Sequence, residues 1–370
     1  MIIPIHAPLL TPKAKKYIDE CLKKNWLSGS TPMVQRFENA FAKYVGTKYA
    51  VAVNSGTAAV HIALAALGIG PGDEVLVPTL TMVATVAAIL YQGAIPVFVD
   101  SQALTGNIDP EKIIPKITKK TKAILVVHLH GHPADMSAIL RVAKTYKLFI
   151  IEDAAEAHGA MYKTKSDWKM CGSIGTVGAF SFYANKLLTC GEGGMVVTNN
   201  GKLANRVRLL RNQSRDPNVQ FLHIELGFTY RMQSLSAAIG LSQVRDARIL
   251  LRKKKHIVSL YNKLLQPLTS ITLPVQLPYA KSTYWQYGIL THKSAKLTRD
   301  QLVKKLEKSG IETRTFFVPM HRQPFLKQYS TGSYPIADDF SARGLCLPSG
   351  AGLTDTQVRF ICKSLMKLLT

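Results

Sequence analysis

One lysine, Lys186, stands between an apolar run and a glycine-rich turn: Gly178-Ala179-Phe180-Ser181-Phe182-Tyr183-Ala184-Asn185-Lys186, then Gly191-Glu192-Gly193-Gly194. Upstream, a second apolar run, Phe149-Ile150-Ile151, ends in the acid pair Glu152-Asp153. An amine after one strand and a carboxylate at the end of another can hold pyridoxal 5'-phosphate (PLP). The lysine condenses with the cofactor aldehyde, and the carboxylate keeps the pyridine nitrogen protonated as an electron sink. Taken singly, neither residue establishes this, because strand-end aspartates and solvated lysines are ordinary. A third element strengthens the pairing. Asn54-Ser55-Gly56-Thr57-Ala58-Ala59 follows a strand and opens a helix. Free N–H groups and the positive end of a helix dipole suit a phosphate. Gly56 permits close backbone approach, and Thr57 adds a hydroxyl. The same residue types are also ordinary helix caps, so this segment alone supports either reading.

Further residues cluster near these three. Ser181, on the strand before Lys186, offers another hydroxyl to a phosphate, or bonds only to its own backbone. Glu156 and His158 follow Asp153 closely. Glu156 can approach the cofactor's ring oxygen. His158 is either a partner of Asp153 or a satisfied core histidine. The Gly191–Gly194 turn requires a positive φ and either connects two strands or clears space for substrate beside Lys186. Cys190 could line the site and is not assigned as a nucleophile.

These residues need a frame that brings strand ends together. Short apolar, β-rich runs at 49–53, 74–77, 95–99, 123–127, 149–152, 177–182 and 194–198 alternate with helical segments. Continuous apolar strands separated by helices predict an α/β fold with a mostly parallel, seven-stranded sheet covered on both faces. Ligands in such folds sit beyond the carboxyl ends of the strands, and Asn54, Pro78, His128 and Asp153 all lie just past such ends. A helix is expected over 201–211, then one long amphipathic helical stretch over 234–265. Shorter strands and two helices, 299–309 and 354–369, follow and predict a smaller C-terminal α+β domain. The expected division is 1–250 for the large, cofactor-holding domain and 251–370 for the small one.

The 370 residues suffice for two domains, and 47% are apolar, which excludes global disorder. The net charge is +24, from 47 Lys and Arg against 23 Asp and Glu. The basic residues are spread along the chain at helical spacing and do not form an aromatic-basic platform. No specific nucleic-acid partner is expected, although a basic field would attract an anionic small molecule such as a sugar nucleotide. The N-terminus lacks a basic segment followed by a long apolar stretch, and no apolar run is long enough to span a bilayer. The expectation is a cytoplasmic protein with no membrane partner. Cys21, Cys171, Cys190, Cys346 and Cys362 are scattered without metal-ligand spacing, so free thiols and no metal site are expected.

Taken together, these residues resemble the DegT/DnrJ/EryC1/StrS family of PLP-dependent sugar-nucleotide aminotransferases, of fold type I. The resemblance covers nearly the whole chain. It also includes Trp26-Leu27-Ser28-Gly29, Arg36-Phe37-Glu38, Pro71-Gly72-Asp73-Glu74-Val75, 128–136, 152–159, Gly227-Phe228-Thr229-Tyr230-Arg231-Met232 and Leu347-Pro348-Ser349-Gly350. Within the family, Asn185-Lys186, Gly131-His132-Pro133 and Phe316-Phe317-Val318-Pro319-Met320-His321 are most similar to the perosamine synthase branch.

The resemblance implies that Lys186 is the Schiff-base lysine and proton shuttle, that Asp153 pairs with the pyridinium nitrogen, and that Glu156 lies near the ring oxygen. It implies that Gly56, Thr57, Ala58 and Ser181 hold the phosphate, and that Trp26, Arg231 and His321 contact substrate. Met82 stands where members usually carry an aromatic that stacks on the cofactor, and a thioether packs softly against a ring. Thr229 stands where many carry an asparagine that reaches a neighbouring subunit's phosphate, and threonine keeps one donor on a shorter arm. A homodimer with sites at the subunit interface follows from that loop.

The implied reaction is ping-pong transfer of an amino group from L-glutamate to C4 of a nucleotide-linked 4-keto-6-deoxyhexose. Amination at C3 of a 3-keto sugar nucleotide is the alternative on the same fold. The readings of another class are a non-catalytic PLP-binding regulator and a basic nucleic-acid-binding protein. A dehydratase is disfavoured because such relatives replace the lysine, and Lys186 is intact.

Overall fold

The computed structural model describes residues 2–370. Two helices come first, α1 (Pro12–Lys23) and α2 (Pro32–Val45). Each starts at a proline, whose missing N–H costs nothing in a first helical turn. The chain then forms β1 (Tyr49–Val53), β2 (Glu74–Pro78), β3 (Ile95–Val99), β4 (Thr121–Val127), β5 (Phe149–Asp153), the short pair β6 (Met161–Lys163) and β7 (Trp168–Met170), then β8 (Val177–Ser181) and β9 (Gly194–Thr198). Seven of these make one sheet in the order β1-β9-β8-β5-β4-β2-β3. Every neighbouring pair is parallel except those of β9, which runs antiparallel to both β1 and β8. This is the mostly parallel sheet that the apolar runs predict. β8 and β9 are buried at every position, which is why they read as unbroken apolar runs rather than alternating ones.

Helices α3 (Gly56–Ala66), α4 (Val83–Tyr91), α5 (Met136–Tyr146) and α6 (Gly201–Leu210) cover the sheet. α3 is buried from Ala58 through Leu64, and its alanines let it lie close to the strands. The single long helix expected over 234–265 is two helices, α7 (Ser234–Arg245) and α8 (Ala247–Leu265). Asp246 breaks them with φ −107° and ψ 9°, and its buried carboxylate pairs with Lys13 on α1. Aspartate favours such boundaries because its side chain competes with the helical backbone, and the partner that fixes it here is remote in sequence. On α7, a Cβ at Gly240 would lie 2.5 Å from Phe37 Cζ, so glycine allows α2 and α7 to touch.

Beyond α8 come β10 (Ile271–Thr272), β11 (Ala280–Lys281), β12 (Tyr287–Thr291), α9 (Arg299–Lys308), β13 (Arg314–Thr315), α10 (Pro335–Arg343), β14 (Gly344–Leu347) and α11 (Asp355–Leu369). A four-stranded antiparallel sheet, β10-β12-β14-β13, carries its own core of Ile257, Tyr261, Leu302, Leu306, Ile361 and Leu365. β11 instead joins β6 and β7 in a three-stranded sheet. α10 is additional to the two helices expected. Its first N–H groups are capped across the fold: Ala337 N donates to Asp100 Oδ1 at 3.0 Å, and Ile336 N to Oδ2 at 3.3 Å. No helix among the described residues is long and apolar enough to cross a membrane.

Candidate active site

A cavity of about 560 Å³ opens where the carboxyl ends of β4, β5 and β8 meet the start of α3. Val127, Asp153 and Ser181 come from those strand ends, Ser55, Gly56 and Thr57 from the turn into α3, and Thr81 and Met82 from the segment after β2. Trp285, Arg314 and Phe317 close it from the C-terminal region.

Strand geometry separates the Glu152-Asp153 pair, because successive side chains point to opposite faces. Glu152 turns away from the cavity into full burial. It accepts hydrogen bonds from the N–H groups of Gly172 (2.7 Å), Ile174 (2.7 Å) and Gly175 (2.5 Å) and pairs with His128 Nε2 at 3.0 Å. It anchors the loop before β8. Asp153 turns into the cavity. Its Oδ2 accepts from Thr85 Oγ1 at 2.8 Å, and its Oδ1 from Ala155 N at 3.1 Å. Burial pushes the Asp153 carboxyl above its ordinary range, while Thr85, Ala155 N–H and the charge of Lys186 pull it back.

Lys186 reaches the same space. Its Nζ lies 3.9 Å from Glu156 Oε1 and 3.8 Å from the centroid of the Trp285 ring. Burial lowers its pKa, and the carboxylates of Glu156 and Asp153 oppose that shift, so the amine is nearer to the neutral, nucleophilic form than a solvated lysine. Glu156 accepts from His130 N at 2.7 Å. Burial first, and the charge of Asp153 second, push it up from 4.5 to about 7, against the pull of Lys186 and the His130 N–H.

That shift has a measurable sign. Between pH 4.5 and about 7 the folded protein holds a proton on Glu156 that the unfolded chain has released, so stability falls as pH rises through this window. The loss amounts to about 3 kcal/mol. Thermal and urea melts of unliganded wild type and Glu156→Gln across this range should show the variant free of that decline. Parallel curves would contradict the assignment.

The helix end of the cavity is built by close approach. Ser55 caps α3, its Oγ accepting from Ala58 N at 3.1 Å. The first-turn N–H groups of Gly56 and Thr57 have no helical carbonyl to bond. A Cβ at Gly56 would sit 2.6 Å from Ser181 Cβ, and one at Gly194 would sit 2.1 Å from the Ser55 carbonyl oxygen. Only glycine at both positions lets the α3 N-terminus press against β8 and β9. Gly56→Ala should therefore displace this end, destabilising the fold by about 1–3 kcal/mol and weakening cofactor retention. A PLP titration beside a thermal melt checks both effects.

The structure brings Gly56, Thr57, Met82, Asp153, Glu156, Ser181 and Lys186 to one cavity. Ala58 is buried beneath it, its amide used by the Ser55 cap. Four other sequence-selected residues do not line this cavity. Thr229 is exposed, opposite Asn212 in an isolated bridge. Arg231 bonds Asn212 through its guanidinium, and Trp26 packs beside α1 with Lys24 over its ring. His321 has both ring nitrogens engaged, Nδ1 with Thr79 Oγ1 at 2.8 Å and Nε2 with Asp338 at 3.1 Å. It ties the C-terminal region to the end of β2. His158 is not bonded to Asp153. Both of its ring nitrogens lack partners, and it sits among Phe41, Phe180 and Phe182, where burial lowers its pKa to about 3. Cys190 is buried behind the site, its Sγ 3.1 Å from the Glu192 carbonyl. Gly191 has the positive φ expected, +83°. Sequence reasoning missed Thr85, Trp285 and Arg314. Their only signals were a threonine on an apolar helix, a tryptophan in the loop before β12 and an arginine in the two-residue strand β13.

The donor set fits PLP. A condensable amine, a buried carboxylate for the pyridine nitrogen, and a glycine-walled helix end with flanking hydroxyls surround one cavity large enough for the cofactor. Fold and site together define a PLP-dependent aminotransferase. The chain belongs to the DegT/DnrJ/EryC1/StrS aminotransferase family, whose model matches residues 8–366. It is 43% identical to the GDP-perosamine synthase of Escherichia coli O157:H7 over 364 residues, covering 98% of this chain and 97% of that protein. Among solved structures it is similar to Streptomyces venezuelae DesV, with a TM-score of 0.89 at 35% identity over 96% of this chain and 94% of the other. It is also similar to Streptococcus pneumoniae Spr1654 in its PLP form, with a TM-score of 0.93 at 26% identity over 100% of both chains.

Proposed function

We propose that this enzyme moves an amino group from L-glutamate to C4 of a nucleotide-linked 4-keto-6-deoxyhexose, with GDP as the nucleotide. The observation that carries the chemistry is the convergence of Lys186, Asp153 and the α3 N-terminus on one cavity. The similarity to the E. coli GDP-perosamine synthase supports the substrate.

Bound PLP supplies an electron sink for the carbanion formed when the donor loses its α-proton. The chain's residues do the rest. Lys186 would anchor the cofactor and, once displaced by the incoming amine, its Nζ would take the proton from the donor α-carbon as general base. In the second half-reaction it returns a proton to the sugar carbon. Asp153, held by Thr85 and Ala155 N–H, would keep the pyridine nitrogen protonated. Glu156 sets the charge beside Lys186. The Gly56 and Thr57 amides with the Ser55, Thr57 and Ser181 hydroxyls would hold the phosphate, and Met82 would lie against the ring. Arg314 gives the rim a cation for an anionic substrate.

The same reading divides the chain at 250, supported by the separate core around Ile257, Leu302 and Leu365. It also makes the working unit a homodimer. Phe221, Ile224 and Leu226 are 78%, 57% and 87% exposed on the segment leading to Thr229 and Arg231, a set of apolar side chains suited to cover by a second copy. Trp26, Thr229 and Arg231 would contact ligand only as that assembly completes the site. Five free, buried cysteines support a reducing, cytoplasmic setting.

The test supplies ¹⁵N-labelled L-glutamate with GDP-, dTDP- and UDP-linked 4-keto sugars and 3-keto controls, and reads label in the product by mass spectrometry. Label on the GDP-linked 4-keto sugar alone is expected. Label on a 3-keto substrate, or on none, overturns the substrate assignment.

A further inference from the structure

The proposed mechanism requires Lys186 to leave the cofactor once per cycle and, before it returns, to act in both half-reactions as a base aimed at the same atoms. A free lysine has four rotatable bonds, so some wall of the cavity must park its amine. Two groups flank Nζ: Glu156 Oε1 at 3.9 Å, long for an ion pair, and the face of Trp285 at 3.8 Å from the ring centroid. That indole is fixed on every side. It is 3% exposed, and its Nε1 donates to the carbonyl of Asn185 at 2.7 Å, the peptide group next to Lys186 itself. Its backbone N–H donates to the His130 carbonyl at 2.9 Å, while the His130 N–H holds Glu156. The two groups that flank Nζ are thus registered through one residue. The Trp285 carbonyl accepts from Lys254 Nζ at 3.0 Å. Lys254 is a buried lysine, 2% exposed, whose second bond goes to the Ser349 carbonyl at 2.5 Å. A buried lysine spent on two carbonyls, its pKa lowered by burial to about 7, is an expensive way to hold a loop, and the loop it holds is the one that carries the indole.

We propose that Trp285 is the positioning residue for Lys186, its π-face lying against Nζ and holding it by a cation–π contact once it has taken up a proton, so that the side chain stays aimed while it is off the cofactor. The inference rests on the aminotransferase reading for its meaning, but not for its test, which uses unliganded protein.

Trp26, Trp168 and Trp285 are the three tryptophans of the chain, so Trp26→Phe/Trp168→Phe leaves Trp285 as sole emitter. The ionisable groups facing Nζ are Asp153, Glu156, His130, His158, His6 and Arg314. Burial first lowers the histidines to about 4, 3 and 4 for His130, His158 and His6, and Glu156 titrates near 7. Lys254, on the Trp285 carbonyl, is lowered by burial to about 7, so the step that belongs to Lys186 is the one that depends on its side chain. It should be present in the single-tryptophan protein, survive Glu156→Gln, and vanish in Lys186→Met. A flat profile, or the same step in Lys186→Met, overturns the proposal.

A second readout is the pH midpoint of Lys186 reductive methylation by formaldehyde and a borohydride-type hydride donor, followed by peptide mass spectrometry. Loss of a cation–π partner should lower that midpoint by about half to one and a half pH units in Trp285→Leu. Trp285→Phe, which keeps an aromatic face, should restore most of it. An unchanged midpoint in the leucine variant also counts against the proposal. If Trp285→Leu fails to fold, the emission titration of the native indole decides alone. Should the protein hold no PLP while the emission step is present, the aminotransferase reading fails and the Lys186–Trp285 contact stands.

Discussion

Lys186→Ala should abolish amino transfer while leaving the fold intact. Lys186 stands at the wall of the cavity with its side chain 12% exposed, and the proposed mechanism uses its amine as anchor and, in both half-reactions, as proton carrier. Removing a positioned general base alone costs a factor of roughly 10²–10⁴, and losing covalent attachment adds to this. Transfer of ¹⁵N from glutamate should fall by at least about 10⁴. The fold should tolerate the change, because burial disfavours the charged form of this amine and only a long pair and a ring face hold it. Its absence removes a charge that holds the Glu156 pKa down, so the carboxyl should titrate higher still in the variant. Stopped-flow single turnover with glutamate, beside a thermal melt, checks both statements. A variant that melts with wild type yet retains transfer within tenfold would remove Lys186 from the chemistry.

Asp153→Asn should have the second-largest effect. Asparagine keeps the shape, and its oxygen can still accept from Thr85 Oγ1 or Ala155 N, which bond the carboxylate at 2.8 and 3.1 Å. What disappears is the negative charge, which the proposed mechanism uses to keep a pyridine nitrogen protonated. Breaking a buried charge pair costs about 3–5 kcal/mol, so kcat should drop by roughly 10²–10⁴ with a smaller change in KM for glutamate. Stability of the unliganded protein should hold or rise, since burial strains the free carboxyl. A loss confined to KM would mean that Asp153 binds substrate instead.

The chemistry-bearing residues were legible because they sit at punctuation points of strong local signals. Asp153 and Ser181 close apolar runs, Gly56 opens a helix, and Gly191 takes the positive φ its turn needs. The seven-stranded sheet followed from the same runs, although the reversal of β9 did not, because a buried strand reads alike in either direction. What sequence could not show was decided by partners far along the chain. Asp246 breaks a helix through Lys13, and Asp100 caps α10 from 236 residues away. His321 is consumed by Thr79 and Asp338 instead of lining the cavity. Trp285 and Arg314 lie in a region of short strands with weak periodicity, so their arrival at the cavity rim depends on how the smaller sheet folds over the larger one.

The most direct test of the account is the visible absorbance of purified protein reconstituted with PLP, before and after L-glutamate, with Lys186→Ala in parallel. The account predicts a visible band in wild type that glutamate shifts to shorter wavelength, and no such behaviour in the variant. A band that glutamate leaves unchanged, or one that forms equally without Lys186, would contradict it.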